Sequence, residues 1–292
     1  MRDYLYLGLY KLFSFLLWIL PDAVIRWLMK GLAWMLYKFR KKRKKTINSN
    51  LDLAFQPPLD DREREEIIVH AYMNLIDTVF GLIKRNGMSK EKILKNVSFE
   101  GKEIVQQYID AGKQIIFVTG HYGNWELLAQ AMAITFDIRT VAVGRQLDSK
   151  AIDKILTENR ERFKAEMVYK KGAMKGCIKA INEGKNIWIL IDQRIRQNQS
   201  ITVDFFGEKA THTPLASMLS RKFGLDMVPV FISTDDYIHY RVKIYEPIKA
   251  LKTEDAEQDL ATLTQAQADI MEQVIKEDPK QWFWMHKRWK WQ

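Results

Sequence analysis

The chain has almost no cysteine: of 292 residues, only Cys177 carries a thiol. A lone thiol forms no internal disulfide and builds no Cys-based zinc site. Its neighbours Ala173, Met174, Ile178, Ala180 and Ile181 follow helical spacing, so Cys177 reads as a small buried apolar residue, with nothing to mark it as a thiolate. The lack of disulfides is compatible with a reducing compartment. Also missing are a Gly-x-Ser-x-Gly elbow, a Gly-x-Gly-x-x-Gly turn, a phosphate loop and a His-Glu-x-x-His helix. Their absence removes the common hydrolase, dinucleotide, nucleotide and zinc-protease readings. No internal repeat or low-complexity linker breaks the chain, and no small-x-small site comes after its first apolar run, which argues against a cleaved signal peptide.

What is abundant is positive charge, a formal net +10. Such an excess suits nucleic acid, anionic lipid or an acidic protein, and its distribution discriminates among them. The cations gather in Arg40-Lys41-Lys42-Arg43-Lys44-Lys45, directly after an apolar region, and in the tail Lys287-Arg288-Trp289-Lys290-Trp291, among aromatics. Both patterns suit a membrane surface, and neither forms the stripe through a folded domain that nucleic acid would need.

Residues 4–20 are nearly all apolar, and roughly 17 such residues is the lower limit for crossing a bilayer core. Residues 23–39 alternate apolar Val24, Ile25, Leu28, Leu32 and Leu36 with Arg26, Lys30 and Lys38, an amphipathic pattern that carries Trp27 and Trp34. Residues 1–45 are therefore expected to be a membrane anchor with a basic flank, the first helix inserting and the second lying in the interface. The basic run places the remainder of the chain on the cytoplasmic side. Two core helices of a soluble bundle are the alternative. A helix is predicted from Asp60-Asp61 to about Asn86-Gly87. Beyond Val97, strand-like runs at 114–118, 140–143, 186–191, 201–205 and 227–232 alternate with helical patterns at 101–111, 126–135, 149–164, 173–183 and 214–223. That alternation predicts an α/β domain over 46–292 with a largely parallel, helix-covered sheet. Residues 237–245 read as a half-exposed strand and 256–276 as a polar amphipathic helix. His70 and His239 look like boundary and surface residues.

The chemistry concentrates in Thr119-Gly120-His121-Tyr122-Gly123-Asn124-Trp125-Glu126. A buried strand ends there in a glycine-flanked turn that opens a helix, and ligands of open α/β sheets sit at such strand ends. Glu126 lies five residues later, about 140° around a helix, so the two side chains can meet only if His121 lies off the helix. A His held by a carboxylate makes a neutral general base. The competing reading is a turn histidine bonded to a carbonyl, with Glu126 as a helix N-terminal charge. Arg145 and Asp192 occupy equivalent strand ends, where a parallel sheet brings them to the edge that carries His121. Arg145 would bind phosphate or stabilise an oxyanion, and Asp192 would orient Arg145, His121 or an acceptor; a structural Arg-Asp pair is the plainer alternative. Without a marked Ser or Cys nucleophile, His121 would act directly on a substrate hydroxyl, with no metal or redox cofactor.

Gly120-His121-Tyr122-Gly123-Asn124-Trp125-Glu126 closely resembles the His-x4-Glu motif of bacterial lipid A biosynthesis acyltransferases of the lauroyl or myristoyl type. The ordered blocks Val143-Gly144-Arg145 with Asp148, Asp192-Gln193, Val203-Asp204-Phe205-Phe206-Gly207, Met227-Val228-Pro229-Val230-Phe231 and residues 279–289 extend the resemblance over the whole chain. It implies a glycerolipid-acyltransferase-like fold on the cytoplasmic face of the bacterial inner membrane. It also implies transfer of a fatty acyl chain from acyl carrier protein, or from acyl-CoA, to a hydroxyl of a lipid A precursor. By the same resemblance His121 is the general base, Glu126 its charge-relay partner, and Arg145 and Asp192 supporting groups; His286 of the tail block reads as structural, since one base suffices for hydroxyl attack. Two departures stand out: Asp192-Gln193-Arg194 where many members have Asp-Gln-Asp, and no Gly-Pro in residues 210–216. They leave the acceptor open to other bacterial lipids, such as a phosphatidylinositol mannoside or an aminolipid. A non-catalytic peripheral membrane protein is the reading from another class.

Overall fold

The computed structural model of the protein describes residues 2–144, 146 and 149–289. Helices α1 (Arg2–Ile19), α2 (Asp22–Phe39), α3 (Lys41–Ala54) and α4 (Asp61–Lys84) come first, then α5 (Lys90–Leu94). Beyond them strands and helices alternate: β1 (Val97–Glu100), α6 (Lys102–Asp110), β2 (Ile116–Thr119), α7 (Trp125–Phe136), β3 (Thr140–Gly144), α8 (Lys150–Glu161), β4 (Ala165–Tyr169), α9 (Ala173–Asn182) and β5 (Asn186–Leu190). A hairpin, β6 (Ile201–Phe205) and β7 (Glu208–His212), precedes α10 (Leu215–Phe223), β8 (Met227–Ser233), β9 (Tyr240–Ile244) and α11 (Ala256–Glu277).

Seven strands form one sheet in the order β1-β9-β8-β2-β5-β3-β4. Every neighbouring pair is parallel except β8 with β9. The central strand β2 is buried on both faces. Ile116 and Val118 point into one core with α4, α9, α10 and α11, while Ile115 and Phe117 point into the other with α6 and α7. This is the two-sided burial that makes parallel strands read as continuous apolar runs. The expected α/β sheet is present. One reading is altered: 201–205 does form a strand, but it pairs antiparallel with β7 in a separate two-stranded ribbon.

The N-terminal helices are part of the body of the fold. Leu17 on α1 and Ile25, Met29, Ala33 and Tyr37 on α2 are buried in the same core as Ile68 and Tyr72 of α4. The basic run continues as helix: α3 begins at Lys41, and Ile47, Leu51 and Ala54 pack inward at helical spacing. A boundary at residue 45 therefore falls inside one helix. Among the described residues α4 alone is long and apolar enough to cross a membrane, and more than half of its apolar window is buried in the protein. It is capped by Asp60, whose side chain accepts from Glu63 N while Glu63 reaches back to Asp60 N. The apolar stretch of α1, Tyr6–Ile19, is shorter than a bilayer span.

Candidate active site

β2 and β5 lie side by side with Thr119 opposite Leu190. His121 and Asp192 each sit two residues past the end of their strand, so the register alone brings them level. The contact is close: His121 Nδ1 lies 2.8 Å from Asp192 Oδ1, and Asp192 Oδ2 accepts from the His121 backbone N–H at 2.9 Å. The Trp282 indole N–H donates to the same Oδ2 at 2.9 Å. Gly120 permits this approach, because a Cβ there would stand 2.6 Å from Met271 Cε and 3.3 Å from Asp192 Cγ. Gly123 is needed too, with φ of +52° and a virtual Cβ 2.0 Å from the Ile232 carbonyl oxygen.

His121 lies off the helix, as the spacing requires, because α7 starts only at Trp125. Asn124 caps it, accepting from Leu127 N at 3.0 Å. Behind the cap lies a buried polar network. Asn124 donates to Asp77 at 2.7 Å and accepts from Arg85, Tyr240 donates to Asp77 at 2.9 Å, and Arg85 reaches Gln130. Burial pushes the Asp77 pKa up and the Arg85 pKa down, and each opposes the other's shift. Each of the two charges is met by hydrogen-bonding partners, as a buried charged network requires.

The expected partnership of His121 with Glu126 is not made. Glu126 is taken up by Arg160 of α8 in a two-pronged pair, Nε to Oε2 at 3.0 Å and Nη2 to Oε1 at 2.6 Å, and among the described residues no hydrogen bond joins it to His121. The reason is positional: Glu126 is in the first turn of α7 and faces α8, whereas the ring hangs over the end of β5. Glu126 raises the Arg160 pKa against the opposing effect of burial. The carboxylate that fixes the ring is Asp192, one of the three roles its strand end allowed. Arg145 and Asp148 lie outside the described residues. Sequence reasoning misses Arg160, whose only signal is a lone Arg in a helix with buried Asn159 beside it.

Asp192 is 3 % exposed. Burial by itself would raise its pKa, but the His121 ring, the His121 backbone N–H and the Trp282 indole outweigh it and hold the carboxyl well below the usual range. An ionised carboxylate can only accept, so His121 Nδ1 carries a proton, and in the neutral ring Nε2 then offers its lone pair. Trp125 stands edge-on to the His121 ring with centroids 5.0 Å apart, and Phe283 lies 6.0 Å away, so the imidazole sits among aromatic walls.

The C-terminal segment builds the floor of the site. Phe283 N donates to the His121 carbonyl and Gly123 N to that of Gln281, both at 2.9 Å. His286 Nε2 accepts from Arg194 N at 2.9 Å, so that imidazole is tied to the backbone, and burial lowers its pKa. Arg288 is wholly buried, bonded to the Thr211 carbonyl and to His212 Nδ1. The tail pattern expected at a membrane surface is thus partly internal, because Arg288 and the Trp289 indole find their partners inside while Lys287 stays exposed; Lys290 and Trp291 lie outside the described residues. Among the described residues no three His, Cys, Asp or Glu side chains converge as a metal site would need. Cys177 is buried, and burial pushes its thiol up to about 11. His70 bonds the Tyr237 hydroxyl, and exposed His239 pairs with Asp236.

Residues 1–291 match the family described as bacterial lipid A biosynthesis acyltransferase. The chain belongs to this family. The protein is thus an O-acyltransferase, as its motif resemblance implied. It is 29 % identical over 279 residues to the lipid A biosynthesis lauroyltransferase of Escherichia coli (strain K12), covering 93 % of this chain and 87 % of that protein. The palmitoleoyltransferase of the same organism is 26 % identical over 282 residues, covering 94 % and 88 %. The corresponding myristoyltransferase is 23 % identical over 239 residues, covering 82 % and 72 %. The solved 1-acyl-sn-glycerophosphate acyltransferase of Thermotoga maritima aligns over 90 % of this chain and 99 % of that one, with TM-score 0.42 and 12 % identity. A likeness so distant places no residue.

Proposed function

We propose that this acyltransferase moves a fatty acyl chain from an acyl-carrier-protein thioester to a hydroxyl of a lipid A precursor, with His121 as general base. The observation that carries this is the His121–Asp192 pair, which leaves Nε2 unprotonated at a strand end between aromatic rings. Nε2 takes the acceptor hydroxyl proton as the oxygen bonds to the thioester carbonyl carbon. The C–S bond then breaks, and the imidazolium returns its proton to the departing thiolate. Asp192 keeps the tautomer and stabilises the imidazolium. The reaction balances with no redox partner and no acyl-enzyme. Glu126 acts through Arg160, fixing a guanidinium where α7 meets α8.

The setting proposed is the cytoplasmic face of the bacterial inner membrane. Trp18, Trp27 and Phe39 are 76 %, 72 % and 76 % exposed, and Leu9, Leu12, Phe15 and Trp34 are also exposed on α1 and α2. Such a face, on helices docked to the protein by their other side, suits lying in one leaflet. Exposed Lys41, Lys42 and Lys45 come next in the chain and suit anionic headgroups. Arg194, where many relatives have Asp, keeps other bacterial lipid acceptors in play. Mass spectrometry of membrane lipids from cells with and without the protein tests the acceptor. An under-acylated lipid A precursor should gain one chain, and gain on a different lipid instead would replace the acceptor. His121→Ala should abolish the gain, and a fully active variant would refute the assigned base.

A further inference from the structure

The Gln193 side chain plays no part in the proton transfers just assigned, yet its Nε2 lies 3.2 Å from His121 Nε2. The contacting atom of Gln193 is its amide nitrogen, which can only donate, so with Nδ1 donating to ionised Asp192 the contact is an amide N–H directed into the Nε2 lone pair that performs catalysis. The acceptor hydroxyl needs that same lone pair. It must therefore push the amide aside. Its backbone is pinned on one side by the bonds to Asp192 and on the other by Arg194 N donating to His286 Nε2. Rotation of its side-chain torsions leaves the amide beside the hydroxyl oxygen and any group that this oxygen attacks. The thioester carbonyl under attack is such a group.

We propose that Gln193 caps the resting base and, once displaced by the acceptor hydroxyl, donates an amide hydrogen to the thioester carbonyl oxygen as it becomes negative. This rests on His121 acting as the base. In the step, the hydroxyl proton passes to His121 Nε2, the O–C bond forms, and the carbonyl π pair moves to oxygen. On collapse that pair re-forms the carbonyl, the C–S bond breaks, and the thiolate takes the proton from Nε2. Gln193 supplies a hydrogen bond throughout and exchanges no proton.

The test uses the full-length protein in detergent, a lauroyl-carrier-protein thioester and an under-acylated lipid A precursor. Gln193→Ala should lower kcat by about 10² to 10³ while the acceptor KM stays within a few-fold, the loss typical of one oxyanion donor. Gln193→Glu keeps the shape and replaces the donor with a carboxylate facing the imidazolium. The acid limb of its pH–rate profile should move up by about 1 to 3 units, which a merely structural residue would not cause. A Gln193→Ala variant with wild-type kcat overturns the proposal, as does an unmoved acid limb in Gln193→Glu. His121→Ala run alongside separates the failures. If it is dead while Gln193→Ala is fully active, only this inference falls; if it is active, the general-base reading falls too.

Discussion

The two ends of the chain have the same ingredients, tryptophan next to lysine and arginine, and opposite fates. In α1 and α2 the indoles of Trp18 and Trp27 face outward, whereas in the tail Trp282, Trp284 and Trp289 are buried and Arg288 is wholly enclosed. Composition cannot separate these cases. The deciding factor is whether the fold offers partners. Trp284 finds the Pro279 carbonyl, Trp289 that of Phe205, and Trp282 the Asp192 carboxylate, while α2 presents one face to α4 and has no further protein layer outside it among the described residues. An amphipathic end covered by protein becomes part of the candidate site, and one left uncovered remains an apolar face, the one proposed to meet lipid.

On that contrast, Trp284→Ala should cost about 3 to 5 kcal/mol of folding stability, read from denaturant unfolding, because a buried indole leaves a cavity. Trp18→Ser with Trp27→Ser should leave the unfolding midpoint nearly unchanged. It should weaken partition onto vesicles containing anionic lipid by about 2 kcal/mol per residue, measured by flotation. An unfolded double variant would break the comparison. A smaller effect is expected from Trp282→Phe, which keeps a six-membered aromatic ring but deletes the pyrrole N–H donor to a charged carboxylate, a loss of about 1.5 to 3 kcal/mol for the hydrogen bond. The depressed Asp192 pKa gives the sign of its pH dependence. Its stabilisation is present above the ordinary carboxylate range and lost as pH falls through the folded value, so the Phe variant should lose stability at a higher pH than wild type.

A change of slope, at most about 1.4 kcal/mol per pH unit, is expected at His212, buried behind the tail with its Nδ1 engaged by Arg288. Burial, then the Arg288 charge, lower its pKa to about 3. Between its unfolded value near 6.5 and that folded value the unfolded chain binds the extra proton, so stability declines as pH falls across this window. His212→Gln should flatten the slope by up to about 1.4 kcal/mol per pH unit, seen in urea midpoints collected from pH 7 to pH 4. An unchanged slope would remove His212 from the account.

The central strands are legible in the sequence because burial on both faces leaves continuous apolar runs, as in Ile115-Ile116-Phe117-Val118 and Ile187-Trp188-Ile189-Leu190. The edge strand β4 is not, since it pairs only with β3 and carries exposed Glu166. The turn around His121 announces itself through its glycines. The carboxylate that its ring bonds does not, because the choice between Glu126 and Asp192 depends on the register of β2 with β5 and on an Arg160 supplied by a distant helix. Sequence spacing reports reach along the chain, and this pairing runs across the sheet. The tail misleads for a related reason: the pattern of residues 287–291 looks interfacial until the hairpin β6–β7 is in place to bond Arg288 and Trp289.

The central claim is that Asp192, across the sheet, orients the base. The direct measurement is kcat for acyl transfer by purified Asp192→Asn, with the fold checked by circular dichroism. The amide would leave His121 free to take the wrong tautomer, and the account predicts a fall of about 10³ to 10⁴. An Asp192→Asn enzyme turning over at the wild-type rate would contradict it.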